Sequence, residues 1–221
     1  QIRGEKPHIL REDFGGTGLL ACSWAQQSES HEAYGIDLDP EPMKYGMEKH
    51  YIKLSEEEKK RMHYIEGNVL HDHGFKADVT VAFNFSYFIF KRRDQLVEYF
   101  KKVREGLSDK GVFFLDIFGG TESGQEMVEE TEHDSHSYFW DCDNFNPLTN
   151  ECQYYIHFKL NNQKYEQVFS YDWRMWSIPE VREILIDAGF SDVITYWEGE
   201  DEDGDGDGNF YISKKEENCE S

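Results

Sequence analysis

Two acids stand directly before a cluster of glycines in EDFGGTG, residues 12–18, inside the longer run HILREDFGGTGLLACSWA of residues 8–25. An apolar start, a glycine cluster and a helix-like continuation read as a strand, a tight turn and a helix. The amides of such a turn and the N-terminus of the following helix make a cradle for a nucleotide. Glu12 and Asp13 decide which kind of nucleotide fits there. A diphosphate would face like charges, at roughly 4 kcal/mol for one pair 4 Å apart at an effective dielectric near 20. A ligand carrying positive charge is attracted instead. Asp37, which ends the apolar run EAYGID, lies about 20 residues downstream, where a carboxylate can take both ribose hydroxyls.

Two families share this strand, turn and helix. GTGLLA (16–21) satisfies the G-x-G-x-x-A pattern of dinucleotide-binding proteins and supports an NAD(P)-dependent oxidoreductase as one reading. The acids favour another. An acid, one spacer and G-x-G-x-G form the motif of the class I S-adenosylmethionine-dependent methyltransferases, and EDFGGTG resembles it. Glu12 takes the acid's place, Gly16 and Gly18 are the later glycines, and Phe14 replaces the first glycine. The resemblance covers about residues 8–120 and 170–215. It implies a Rossmann-like fold and S-adenosyl-L-methionine as cofactor, whose sulfonium and α-ammonium suit acids at the end of the first strand. It also implies that Phe14, Gly15, Gly16 and Gly18 shape the cofactor turn. Asp37 would bind the ribose and Leu38 would flank the adenine. In IEGNVL, Asn68 would accept the adenine amino group with Val69 beside it, and Asn84, closing DVTVAFN, would border the methyl group. Plainer roles stand beside these. Asp37 could be a turn residue, Asn68 could hold its own loop, and Glu12 and Asp13 could lie on the surface of an ordinary turn. Arg11 either pairs with one of the acids or meets the cofactor carboxylate. A third reading is a catalytically silent protein that binds the cofactor and serves as a partner.

The elements that must position these residues follow from periodicity. HILRED (8–13), EAYGIDLD (32–39), MHYIEGNVL (62–70), ADVTVAFNF (77–85) and GVFFLDIF (111–118) read as strands. Between them, LLACSWAQQ, a helix opened by Asp39 and Pro40, and RRDQLVEYFKKVREGL read as helices, the last with Leu96, Val97, Phe100, Val103 and Leu107 on one face. Repeated strand–helix units predict a doubly wound, mostly parallel α/β sheet. The pattern breaks over 121–176, expected to be an inserted substrate cap. There 121–150 is polar and acidic, and ECQYYIHFKL and KYEQVFSYDWRMW form a β-hairpin turning at Asn161–Gln163. SIPEVREILIDAGF is a capped helix. Two strands joined by the acidic loop 198–208 end the fold and give the mostly parallel sheet an antiparallel C-terminal strand, and the whole chain 1–221 is read as one domain.

Methyl transfer from a sulfonium needs a placed, dry nucleophile more than a strong base. No residue announces itself as that base. Tyr87, after NFS, is the candidate at the junction with the substrate, packing being the simpler reading. Within the cap, Trp173 and Trp176 could form an aromatic wall for an organic cation. Arg174 between them could clamp a substrate carboxylate or stack structurally. The loop motif D-x-D-x-D-G at 203–208 opens like a calcium loop but has Lys214 at the twelfth position, so it reads as a solvated turn.

Composition bounds these readings. The 221 residues are 38% hydrophobic and 15% aromatic, with 45 acids against 23 bases and a net charge of −22, seven of the acids lying in 198–207. Such a charge repels phosphate backbones and excludes nucleic acid as the expected partner, leaving a small neutral or cationic molecule. No apolar run reaches the roughly 18 residues of a membrane helix. Cys22, Cys142, Cys152 and Cys219 form no CxxC pair, and with His133, His136 and His157 match no standard zinc spacing, so no metal and a cytoplasmic location are expected. The chain opens on Gln1, which is compatible with a removed leader. Oligomeric state and acceptor atom are not legible.

Overall fold

Five of the six residues of ADVTVA are buried, so this strand is covered on both sides, as a central strand of a parallel sheet must be. The computed structural model describes residues 4–120, 123–200 and 206–212. Its parallel sheet is built from β1 (Ile9–Asp13), β2 (Glu32–Asp37), β3 (Met62–Glu66), β4 (Ala77–Ala82) and β5 (Leu107–Leu115), in the order β3-β2-β1-β4-β5. The chain crosses between them through α1 (Leu19–Gln27), α2 (Pro40–Lys49), the short α3 (Glu56–Lys59) and α4 (Arg93–Gly106). Strand order reverses between β1 and β4, where Asp13 lies opposite Ala82. In an open α/β sheet that reversal leaves a crevice at the carboxyl ends of the strands, and ligands bind there.

Alternation along each strand divides the core. Leu10, Ala33, Val79 and Val81 pack with Ala21, Cys22 and Ala25 of α1. Ile36 and Ala82, one residue out of phase with these, join Leu96, Tyr99, Phe100 and Val103 of α4 on the opposite face. Both faces are therefore covered by helices. Asp39 caps α2 by accepting the Glu41 amide at 2.9 Å, with Pro40 in the first turn.

After β5 come β6 (Val128–Glu132), β7 (Ser137–Asn146), β8 (Glu151–Leu160) and β9 (Gln163–Arg174), then α5 (Ile178–Asp187), β10 (Tyr196–Glu200) and β11 (Gly206–Ile212). Three expectations change here. The insert is a four-stranded antiparallel sheet in the order β6-β7-β8-β9, not a lone hairpin. All five residues of β6, VEETE, are exposed, and a strand wet on both sides carries no alternation to read. The β8–β9 turn is the pair Asn161–Asn162, with φ of 49° and 63°, the left-handed values a two-residue hairpin turn requires. Finally, β10 and β11 pair with each other in a separate two-stranded sheet rather than extending the parallel one. The chain leaving α5 runs irregularly through 191–195, and the two strands then satisfy one another's backbone groups.

The insert shares the larger core. Cys142, Cys152, Tyr154 and Trp173 pack in one cluster with Phe88, Tyr99 and Val181. Of the acidic loop, residues 201–205 lie outside the described residues, as does Lys214 of the calcium-like motif.

Candidate cofactor site

The two acids of EDFGGTG have separate fates. Asp13 points into the core. Arg11 donates to it through Nε at 2.7 Å and Nη2 at 3.3 Å, and the Tyr99 hydroxyl donates at 2.9 Å. Arg11 and Asp13 are 4% and 1% exposed, so both are committed to the fold. The guanidinium also donates to the Val69 carbonyl at 2.8 Å, tying β1 to the loop after β3. That settles the two options for Arg11: it pairs with an acid.

Glu12, on the other face of β1, remains at the crevice. Its Oε2 accepts the Ala21 amide at 3.0 Å in the first turn of α1, where a carboxylate is favoured by the helix dipole. Burial pushes its carboxyl up to about 7. The Ala21 hydrogen bond opposes that shift, and the charge of Asp37 adds to it. A pair of acids is thus gathered at the mouth of the glycine turn, but the pair is Glu12 with Asp37.

Asp37 braces that turn. Its Oδ2 accepts the Gly16 amide at 2.8 Å and its Oδ1 the Asp39 amide at 2.9 Å. A carboxylate has about four acceptor directions, so room is left for two ribose hydroxyls. Leu38, beside it, is 64% exposed, an apolar side chain at the edge of the crevice. Gly15 donates to the Ile36 carbonyl at 2.9 Å, and Gly18 to Gly15 at 2.8 Å. Gly18 has a φ of 64°, and a Cβ there would lie 2.6 Å from the Tyr64 ring, so only glycine fits. Phe14 also takes a left-handed φ of 55°. That conformation costs a side-chain-bearing residue about 1–2 kcal/mol. Its ring packs against Phe90 and Tyr99 at centroid distances of 6.2 and 5.6 Å, which offsets the strain.

Asn68 Oδ1 accepts the Leu70 amide at 2.9 Å, holding its own loop while keeping one acceptor direction toward solvent or ligand. Val69 is buried and anchors Arg11 through its carbonyl. At the end of β4, Asn84 and Phe85 both have positive φ, 56° and 55°. Their amides donate to Asp116 Oδ2 and Oδ1 at 2.8 and 3.0 Å. Burial raises the Asp116 carboxyl, and these amide bonds work against that rise.

Four expected substrate contacts are corrected. Tyr87 is fully buried and donates its hydroxyl to the Asp116 carbonyl at 2.9 Å, so it cannot touch a substrate from this position. Tyr87→Phe is expected to lower stability by about 1–2 kcal/mol, the cost of a lost hydrogen bond and an unmet carbonyl. A urea titration that finds no loss would release the hydroxyl for other work. Trp173 and Trp176 are each 3% exposed and form core rather than a wall. Arg174 lies 3.7 Å over the Trp176 ring and bonds Glu180 Oε1 at 2.9 Å, so its charge is already matched.

Other residues escaped sequence reasoning. Asp116 had a signal, an acid ending the apolar run GVFFL. Tyr64 donates to the Thr17 carbonyl at 2.8 Å. Gly46 of α2 packs so close that a Cβ would lie 1.9 Å from the Thr17 carbonyl oxygen. Its signal was a glycine inside a helical run. Among the described residues, no group of three or more His, Cys, Asp or Glu is placed to hold a metal ion, and no helix is long and apolar enough to cross a membrane.

No family model matches the sequence, and no curated protein does. Solved structures do match. One is an S-adenosylmethionine-dependent methyltransferase from Clostridium acetobutylicum (TM-score 0.69, 17% identity, covering 88% of this chain and 76% of that one). Another is the CcbJ methyltransferase from Streptomyces caelestis (0.66, 17%, 87% and 74%). A third is the glycopeptide N-methyltransferase MtfA complexed with S-adenosyl-L-homocysteine (0.60, 15%, 94% and 80%). Identities this low speak for architecture alone. The chain has the fold of the S-adenosylmethionine-dependent methyltransferases.

Proposed function

We propose that the protein is an S-adenosylmethionine-dependent methyltransferase acting on a small neutral or cationic molecule. The observation that carries this reading is the pairing of Glu12 with Asp37 at the glycine turn, on the crevice where the sheet order reverses. Two acids there disfavour a diphosphate and favour a cationic nucleoside. Asp37 keeps acceptor directions for ribose hydroxyls, exposed Leu38 offers a flat apolar contact for adenine, and Asn68 keeps one direction for its amino group. When bound, S-adenosylmethionine supplies an electrophilic methyl carbon.

The chain's own work is then placement. Asp116 holds Asn84 and Phe85 in their left-handed conformations and so fixes the rim where a nucleophile would approach. Glu12 supplies negative potential toward the turn. An amine acceptor would have to reach that rim as the free base, its lone pair exposed, and the proton it gives up would pass to solvent. That the fold is shared with a glycopeptide N-methyltransferase supports such an acceptor. The net charge of −22 supports a small-molecule partner rather than nucleic acid. The free, buried Cys22, Cys142 and Cys152 fit a reducing, cytoplasmic compartment.

Calorimetry with S-adenosylhomocysteine against NADH tests the reading directly. Binding of the first alone is expected, and preference for NADH would replace the methyltransferase by an oxidoreductase. Asp37→Ala is expected to weaken S-adenosylhomocysteine by one to two powers of ten, about 1.4–3 kcal/mol for charged hydrogen bonds. An unchanged dissociation constant would remove Asp37 from the site.

A further inference from the structure

With Trp173, Arg174 and Trp176 committed to packing, the acceptor needs another place. Beyond Asp116 the chain runs through Phe118, Gly119 and Gly120 along the antiparallel sheet, and a cleft of about 290 Å³ opens there. Its aromatic lining is Phe118, Trp140 and Tyr154, and Glu129 of β6 contributes a carboxylate. Phe118 stands edge-on to Trp140 and Tyr154, at centroid distances of 5.9 and 5.7 Å. Trp140 stacks on Tyr154 at 4.8 Å and also meets Tyr171 at 5.9 Å and the buried Trp173 at 6.2 Å. The cleft also adjoins the cofactor rim. Phe118 lies 5.3 Å from Phe85, whose amide Asp116 holds.

The charge on the lining of this cleft is negative. Glu129 lines it, and Glu126 and Asp143 act electrostatically on Cys142 in its wall, as does Asp141, whose carboxylate is itself bonded to His157 Nε2 at 2.9 Å. No lysine or arginine stands among the described residues that line it. Aromatic faces carry negative quadrupole potential, so rings and carboxylates together favour a cation, and more so where water is partly excluded. An anionic acceptor would meet repulsion without a basic partner. A volume near 300 Å³ is the lower end for small-molecule sites and suits a compact ligand or one end of a longer one.

We infer that this cleft is the acceptor site and that it recognises an organic ammonium group between Trp140, Phe118 and Glu129. The inference rests on the methyltransferase reading for its role, and on the cleft alone for its chemistry.

Choline is the probe, with 3,3-dimethylbutan-1-ol as its uncharged isostere. Choline's nitrogen has no lone pair, so it reports binding without turnover. NMR titration of the full chain is expected to find choline bound at least fivefold more tightly than the alcohol. Trp140→Ala and Glu129→Gln are each expected to weaken choline about fivefold, the range of a partly exposed cation–π or ionic contact. Both are expected to leave S-adenosylhomocysteine affinity at the parent value. Should Trp140→Ala fail to fold, Glu129→Gln decides alone, since β6 is exposed throughout. Equal affinity for the two probes, or choline binding indifferent to Glu129→Gln, overturns the inference. Failure of S-adenosylhomocysteine to bind the parent overturns the acceptor role along with the methyltransferase reading. That result is read separately from the choline titration.

Discussion

Glu12→Gln is expected to make the ligand-free protein more stable above neutral pH and a poorer binder of S-adenosylmethionine at the same pH. The carboxyl is pushed up to about 7 from 4.5, chiefly by burial, with the Asp37 charge adding to the rise. A group whose folded pKa is raised keeps its proton longer in the native state than in the unfolded chain. Its contribution to stability is complete below 4.5, falls as pH rises between the two values, and is lost above about 7. The full difference converts to about 3 kcal/mol, and about 2 kcal/mol is the better figure for a side chain that water still partly reaches. Glutamine offers the same acceptor to the Ala21 amide and never ionises. The variant should therefore match the parent near pH 4.5 and exceed its melting temperature by about 4–8 °C at pH 8, taking 2–4 °C per kcal/mol for a chain of this size.

The binding half of the experiment has the opposite sign. Parent affinity for S-adenosylmethionine should rise as pH passes through 7, because the charge that destabilises the empty site is the charge that attracts the sulfonium. Among the described residues, Asp37, Cys22 and Tyr64 interact electrostatically with Glu12, and none of these three contributes a positive charge. The variant should lose about tenfold for S-adenosylmethionine and less for the uncharged sulfur of S-adenosylhomocysteine. A melting temperature at pH 8 that does not rise would mean the carboxylate is well solvated. Equal losses for the two ligands would mean it does not sense the sulfonium. Either result removes Glu12 as the source of charge selectivity.

Much of this site could be read in the sequence because its parts are local. The glycine turn, the acid before it, Asp37 at the end of the next strand and the Asp39–Pro40 helix start all express themselves within a few residues. What could not be read depends on which way a side chain faces. Glu12 and Asp13 are adjacent and chemically alike, yet alternation along β1 sends one to the crevice and the other to Arg11 and Tyr99, 86 residues away in the chain. Tyr87 and Trp173 have the composition of a pocket wall, and burial makes them core. The cap hid two strands because VEETE is exposed on both faces, while β7 mixes Trp140, buried Cys142 and exposed Asp143 without a clean period. The main sheet was expected to carry an antiparallel C-terminal strand, and β10 and β11 pair only with each other.

Gly46→Ala should do the most damage for the smallest change. In an ordinary helix interior, alanine is better than glycine by roughly 1 kcal/mol, and α2 would gain that much. At this position the added Cβ would sit 1.9 Å from the Thr17 carbonyl oxygen and 2.7 Å from its carbon. The obstacle is backbone, so no rotamer change relieves it. The Thr17 carbonyl also accepts the Tyr64 hydroxyl at 2.8 Å, an oxygen that the added Cβ would itself approach to 2.8 Å, and its neighbours are held by Asp37 at the Gly16 amide and by Ile36 at Gly15. The glycine turn is therefore clamped and cannot step aside without breaking those bonds. Either α2 moves off the turn or the turn loses Tyr64 and Asp37 as braces. Overpacking of this kind costs about 3 kcal/mol, which outweighs the helical gain. Because the displaced atoms belong to the proposed cofactor turn, S-adenosylhomocysteine affinity should fall by at least tenfold, further than stability alone would explain. Met47→Ala, one residue along the same helix at a side chain 46% exposed, should leave both quantities close to the parent. Were Gly46→Ala to gain stability and keep its affinity, the close approach of α2 to the turn would be wrong, and with it the account of how the turn is held open for a ligand.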